Sequence, residues 1–315
     1  MWQILSGVIL GWSLGANDAA NVFGTAVASK MVTFWKASVL CAMFILAGAI
    51  LEGAGGMETY SKLSNYGLNF AFIISLVAGV TVIFMTFLHL PVSTSQAVVG
   101  AMLGVGIIFN NINLDSLLKV ILCWIGTPIG AMFIAMILYQ VIGKIFNVLD
   151  LSFYQYDKVL RFCLIVAGSY GAYALGANNV ANVTGPFVAS GQLSATWGVV
   201  IGGLSIALGV MTFSRNVMMT VGKGIVKLNA FSALIVVLAE AVTIHVYAII
   251  GVPVSTSQAV VGAVVGIGII RGVQTVNLKT LGKIGVGWVM TPAISFGFTW
   301  AITTLMIFLS ILTGP

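Results

Sequence analysis

The sequence predicts an all-α polytopic membrane protein. It consists of two inverted-topology repeats with broken or re-entrant helices, about 10–12 membrane segments in all. Three observations predict it. The chain is 60% hydrophobic and only 6% charged, whereas a soluble globule carries roughly a quarter charged residues. Two polar motifs each occur twice in register. The basic residues fall almost entirely on one side of the topology that those repeats imply.

The apolar segments follow in order. The first half gives 2–29, 37–51, 67–90, 92–109 and 116–143, and the second gives 162–190, 194–213, 229–251, 254–270 and 280–312. The runs are continuous and rich in Gly, Ala and Leu, which excludes a β-barrel with its alternating strands of about ten residues. Residues 14–29 (LGANDAANVFGTAVAS) return as 175–190 (LGANNVANVTGPFVAS), and 91–100 (PVSTSQAVVG) return unchanged as 253–262. Asn113-Leu114, Trp124 and Thr127-Pro128 are echoed by Asn277-Leu278, Trp288 and Thr291-Pro292. The expected organisation is a first repeat at 1–143, a polar cytoplasmic linker at 144–161 and a second repeat at 162–315.

Five crossings per half make the second half enter from the opposite face, which is an inverted repeat. One side then receives Lys30, Lys36, Lys144, Lys158, Arg161, Arg215, Lys223, Lys227, Arg271, Lys279 and Lys283, and the other only Lys62 and Lys119. By the positive-inside rule the crowded side is cytoplasmic, and both termini are expected outside the cytoplasm. The net charge of +6 is thus a topology signal and not a nucleic-acid surface. Cys41, Cys123 and Cys163 are scattered through apolar runs, without disulfide or zinc spacing. Residues 2–14 are apolar with no basic stretch before them, unlike a cleavable signal peptide.

The repeated motifs carry the chemistry. Asp18 lies in an apolar segment with no Lys or Arg within ten residues, and an ionised carboxylate there needs a partner or a bound cation. Asn17 and Asn21 stand four apart on one helix face and offer amide oxygens to a hard cation or amide donors to an anion. Asn178, Asn179 and Asn182 are the second copy, with Asn179 in place of Asp18. Gly15 and Gly176 suggest an interruption of each helix. Packing glue between helices is the plainer reading, but it does not explain a repeated motif holding a carboxylate.

In the other motif, Pro91 and Pro253 suit a first helical turn and hydroxyl residues cap helix starts. Ser93, Thr94, Ser95 and Gln96, with Ser255, Thr256, Ser257 and Gln258, place two helix N-termini and many neutral donors around one anion. Glu240, whose repeat counterpart is Ala78, reads as a cation or proton site. His245 reads as a hydrogen-bonded core residue before a proton relay. His89 adjoins the first cap, Glu52 and Glu58 read as interfacial, and the 13 Met residues read as packing filler.

The GANDAAN/GANNVAN pair with PVSTSQ twice resembles the inorganic phosphate transporter family (the PiT, or solute carrier 20, family), over almost all of the 315 residues. The resemblance implies cation-coupled uptake of inorganic phosphate by a homodimer in the cell (inner) membrane, among lipid, with no enzymatic activity and no bound cofactor. It implies phosphate held by Asn17, Asn178, Ser93, Thr94, Ser95, Gln96, Ser255, Thr256, Ser257 and Gln258. It implies co-transported Na⁺ at Asp18, Asn21, Asn179, Asn182, Thr94, Thr256 and Glu240. The chain departs from the family in carrying Asn179 where eukaryotic members carry a second Asp, and in lacking the acidic residue expected around Ile45.

Alternatives of substance are H⁺ coupling, a sulfate permease of the same family, and an anion channel, which would pass phosphate without a cation gradient. An enzyme acting on phosphate esters is disfavoured, since the chain shows no nucleophile beside a base, no metal-ligand cluster and no P-loop.

Overall fold

The computed structural model describes residues 2–63, 68–87, 92–224, 229–272 and 278–313. His89, Pro91, Lys227 and Asn277 of the sequence analysis lie outside them. The elements are α1 (Ile4–Ala28), α2 (Phe34–Glu52), α3 (Ala54–Leu63), α4 (Leu68–Phe87), α5 (Thr94–Ile108), α6 (Leu114–Val148), α7 (Phe153–Ala189), α8 (Ala195–Gly224), α9 (Ala230–Ile250), α10 (Thr256–Arg271) and α11 (Leu278–Thr313). No strand occurs among the described residues. Every predicted apolar segment is a helix. Six of the helices (α2, α6, α7, α8, α9 and α11) contain stretches long and apolar enough to cross a membrane.

Helix starts follow local chemistry. Asn113 accepts from the Ser116 amide at 2.9 Å and Asn229 from the Ser232 amide at 2.8 Å, each satisfying a first-turn donor. Ser152 and Gln155 form a reciprocal capping box at the start of α7. Only residues 149–152 separate α6 from α7. Helix α3, which the apolar pattern did not reveal, buries Gly56, Met57, Tyr60 and Leu63 on one face. Its other face pairs Lys62 with Glu58 at 2.6 Å in the open.

Helices α5 and α10 have 15 and 16 residues, about 22–24 Å at 1.5 Å per residue, short of the roughly 30 Å hydrocarbon core. Each pairs with the helix before it, α4 with α5 and α9 with α10. These are two helical hairpins, with residues 92–96 at the tip of one and 253–258 at the tip of the other.

The interruption expected at the Asn motifs is absent. Helix α1 runs unbroken through Asp18, and α7 runs unbroken through Asn179. Gly15 and Gly176 serve close approach instead. A Cβ on Gly15 would lie 2.0 Å from the Ile206 carbonyl oxygen, and one on Gly176 would lie 2.0 Å from that of Ile45. Gly48 meets the Tyr173 carbonyl and Gly209 that of Trp12, again at 2.0 Å.

These contacts show how the halves associate. Helix α1 packs chiefly on α8, and its counterpart α7 packs on α2; α5 lies against α11, and α10 against α6. Each half thus exchanges helices with the other in the pairing a two-fold relation produces. The outer face of α6 shows Leu118, Leu122, Ile125, Ile129, Phe133 and Ile137 exposed, one apolar stripe suited to lipid.

Candidate functional site

The two Asn motifs and the two hairpin tips meet at the centre of this exchange. Asp18 is 6% exposed. Its Oδ2 accepts from Asn179 Nδ2 at 3.0 Å and from the Thr256 hydroxyl at 3.1 Å. Its Oδ1 accepts from Asn17 Nδ2 at 3.4 Å. The carboxylate of one half is therefore held by its pseudo-equivalent in the other and by the first helical residue of the second hairpin.

Asn182 donates to Asn179 Oδ1 at 3.1 Å and accepts from the Tyr60 hydroxyl at 2.6 Å. Asn178 Oδ1 accepts from the Val254 amide at 2.9 Å, which fixes the second hairpin tip to α7. Gly251, at φ 76°, turns the chain out of α9 into that tip, a left-handed conformation that glycine adopts without penalty. Its carbonyl accepts from Thr59 of α3.

Both tips are built alike. Ser93 accepts from the Gln96 amide and Ser255 from the Gln258 amide, at 3.4 and 3.3 Å. Ser93 and Ser95 lie 3.2 Å apart, and Ser255 and Ser257 lie 2.9 Å apart. Ser257 donates to the Val92 carbonyl at 3.2 Å, so the tips touch. Two helix N-termini are consequently brought close together, each presenting first-turn amides and a positive dipole end.

Several polar atoms there are buried without a partner among the described residues: Gln96 Oε1, Gln258 Oε1, Asn178 Nδ2 and Glu240 Oε2. Leaving such an atom unmade costs about 1–3 kcal/mol, so these atoms mark where a ligand would be accepted. Rotating either glutamine amide exchanges an acceptor for donors, which lets the same side chain serve a cation or an anion. Glu240 is 2% exposed and lies within electrostatic reach of Asp18 and Cys41. Neither acid has a basic partner among the described residues.

Most of the sequence-predicted residues therefore converge: Asn17, Asp18, Asn178, Asn179 and Asn182 with Ser93, Ser95, Gln96, Ser255, Thr256, Ser257 and Gln258. Asn21 and Thr94 are both half-buried, and neither side chain is hydrogen-bonded to another described residue. Tyr60 and Thr59 escape the apolar pattern, because a short helix with two glycines and the polar run Glu58 to Lys62 gives no apolar stretch. Glu58 is exposed and paired with Lys62, whereas Glu52 bonds His245 at 2.8 Å. His245 is bonded at both ring nitrogens, the hydrogen-bonded role expected of it.

Comparisons with known proteins bear on the fold and the family. A solved structure described as the sodium-dependent phosphate transporter superposes with a TM-score of 0.83 at 22% identity, covering 97% of this chain and 98% of its own. A protein named as a phosphate permease in Methanocaldococcus jannaschii is 31% identical over 282 residues, covering 90% of this chain and 89% of the relative. The sulfate permease of Bacillus subtilis is 28% identical, covering 96% and 87%. The model of the phosphate transporter family matches residues 14–299. With that match over most of its length, the chain belongs to the phosphate transporter family and is a multi-pass membrane transporter, not an enzyme.

Proposed function

We propose that the protein imports inorganic phosphate by Na⁺ symport through alternating access at the Asp18 site. The observation that carries this reading is a buried carboxylate with no basic partner among the described residues, hydrogen-bonded to Thr256 at the N-terminus of α10. An anion cradle without Arg or Lys needs its charge offset, and a co-transported cation does that at Asp18. The phosphate ligands are Asn17, Asn178, Ser93 to Gln96 and Ser255 to Gln258. Asp18, Asn21, Asn179, Asn182, Thr94, Thr256 and Glu240 hold Na⁺ through hard oxygen atoms. The membrane potential is worth about 2.3 kcal/mol per charge per 100 mV, so a divalent phosphate needs more than two monovalent cations before the potential drives import.

The remaining architecture belongs to the same proposal. Residues 1–143 and 162–315 are the repeats, 144–161 the cytoplasmic linker, and both termini lie outside the cytoplasm of the inner membrane. The homodimer rests on the family resemblance.

Liposome reconstitution tests the function. Labelled phosphate uptake should rise at least about tenfold with an inward Na⁺ gradient and much less with an H⁺ gradient. Uptake that ignores both gradients would sink the symporter. The similarity to a sulfate permease makes sulfate the informative competitor. Phosphate keeps a proton to donate to Gln96 Oε1 or Gln258 Oε1, and sulfate has none, so excess sulfate should compete weakly. Equal competition would favour the sulfate reading.

Thr256→Val checks the second hairpin's role. A hydrogen bond to a charged group is worth about 1.5–3 kcal/mol. Half-saturation for Na⁺ should therefore rise about tenfold or more in uptake assays, with the protein still inserted.

A further inference from the structure

A second titratable cluster lies apart from the Asp18 site. His245 of α9 sits where α2 and α7 converge on it. Its Nε2 is 2.8 Å from Glu52 Oε2, and its Nδ1 is 2.8 Å from the Tyr170 hydroxyl. The Tyr173 hydroxyl donates to Glu52. The rings of Tyr170 and Tyr173 meet the imidazole edge-on, with centroids 5.4 and 5.5 Å away. The His245 and Glu52 side chains remain 21% and 34% exposed, so the pair is not sealed in the core.

The other half shows what this crossing needs for packing alone. By the repeat register Glu52 corresponds to Phe213, Tyr173 to Trp12, Tyr170 to Ile9 and His245 to Ile83. There Trp12 packs on Phe213 at 5.3 Å and donates to Thr212 at 2.8 Å. An aromatic contact and one neutral hydrogen bond hold that crossing, so the ionisable carboxylate and imidazole add something that holding it does not require.

The cluster accommodates both charge states of the imidazole. Neutral His245 donates from Nε2 to Glu52 and accepts the Tyr170 proton at Nδ1. Protonated His245 donates from both nitrogens, and Tyr170 then accepts. A proton is therefore bound without breaking a contact, while the bond to Glu52 becomes charge-assisted and roughly twice as strong. Histidine changes charge between about pH 5 and 8.

The tie bears on the helix that walls the transport site. Helix α9 ends at Gly251, and the following tip holds Asn178 and Asp18. Among the described residues no other titratable group bonds the imidazole. Glu240 of α9 faces Asp18 of α1 and Cys41 of α2. Lys119 of α6 reaches the Ile250 carbonyl, and Cys123 of α6 neighbours Tyr247. Glu58 and Lys62 of α3 pair with each other, and Arg271 stands at the far end of α10.

We propose that His245, with Glu52, Tyr170 and Tyr173, forms a proton-binding site that sets how firmly α9 is tied to α2 and α7, so that acid slows the transport cycle. Alternating access moves one bundle against another, and a stronger tie raises the cost of moving the second hairpin. The regulatory half of this inference rests on the transport reading, and the proton-binding half does not.

Two measurements test it. The chain has two histidines, so histidine-labelled protein gives two imidazole NMR signals, and the one lost in His245→Gln is assigned. That signal should move on acidification of the wild type, and its response should differ in Glu52→Gln, which removes the charged partner of Nε2. A signal unchanged by acid overturns the proton site. The uptake ratio of His245→Gln to wild type at matched pH cancels the protonation of phosphate itself. It should rise at least about threefold from pH ~7.5 to ~5.5, across the histidine range. A flat ratio overturns the regulation. Tyr170→Phe, which keeps the imidazole, should titrate normally with a smaller ratio change, and it supplies the test should His245→Gln not fold. Wild-type protein inactive in uptake would instead fail the transport reading, and the NMR result would still decide the proton site.

Discussion

Asp18→Asn should reduce Na⁺-driven phosphate uptake about a hundredfold while leaving membrane insertion intact. The substitution keeps the shape of the side chain and its place between Asn179 and Thr256. What it removes is the charge. A monovalent cation touching a carboxylate oxygen gains about 6 kcal/mol at an effective dielectric of about 20. Desolvation takes back part of that, and a net loss of about 3 kcal/mol is a hundredfold in cation affinity. The measurement is uptake into liposomes against Na⁺ concentration, with detergent gel filtration to show that the protein is intact. Undiminished Na⁺ dependence would remove Asp18 from the coupling.

Gly176→Ala should have the largest effect on the fold. The added Cβ would meet the Ile45 carbonyl oxygen at 2.0 Å and its carbon at 2.7 Å. Backbone cannot rotate away as a flexible side chain can, so α2 and α7 must part along the crossing that carries Asn178 and Asn179. Overpacking costs about 1–3 kcal/mol where side chains can shift, and a backbone clash belongs at or above about 3 kcal/mol. Gly15→Ala, its partner by the repeat, meets Ile206 in the same way. Both should lose most of their thermal stability in detergent. Gly297→Ala in α11, with nothing within 4 Å of the added carbon, should be neutral or gain up to about 1 kcal/mol from helix propensity. Equal melting temperatures for the variants at Gly176 and Gly297 would refute the close-approach account.

Much of the architecture was legible because it is written locally. Apolar runs mark helices, Ser93 and Ser255 announce helix starts, and the matched copies give the repeat. The inclusion of Asp18 in an apolar run marks the candidate site from sequence alone. What escaped was whatever depends on how the halves cross. The glycines of the Asn motifs signal a kink and close packing with equal force until a neighbouring carbonyl is placed beside them. Tyr60 reaches Asn182 from a helix too short and polar to register as apolar. Glu52 looked interfacial because it ends an apolar segment, and only the path of α9 brings His245 to it. Asn17 and Asn21 share a face in sequence, yet the carboxylate beside Asn17 takes its bond.

The exchange of helices between halves also sets a timetable for the newly made chain. Helix α1 leaves the ribosome well before its principal neighbour α8, which begins at Ala195. Helix α2 similarly waits for α7. Until then Gly15, Asp18 and Gly48 have no carbonyl, amide or helix groove to meet, and they face lipid or a chaperoning insertion machinery. Contacts between distant parts of a chain are slow to form and leave sticky intermediates. The first half must therefore stay loosely assembled during synthesis, and it closes into a site only when the second has been threaded past it.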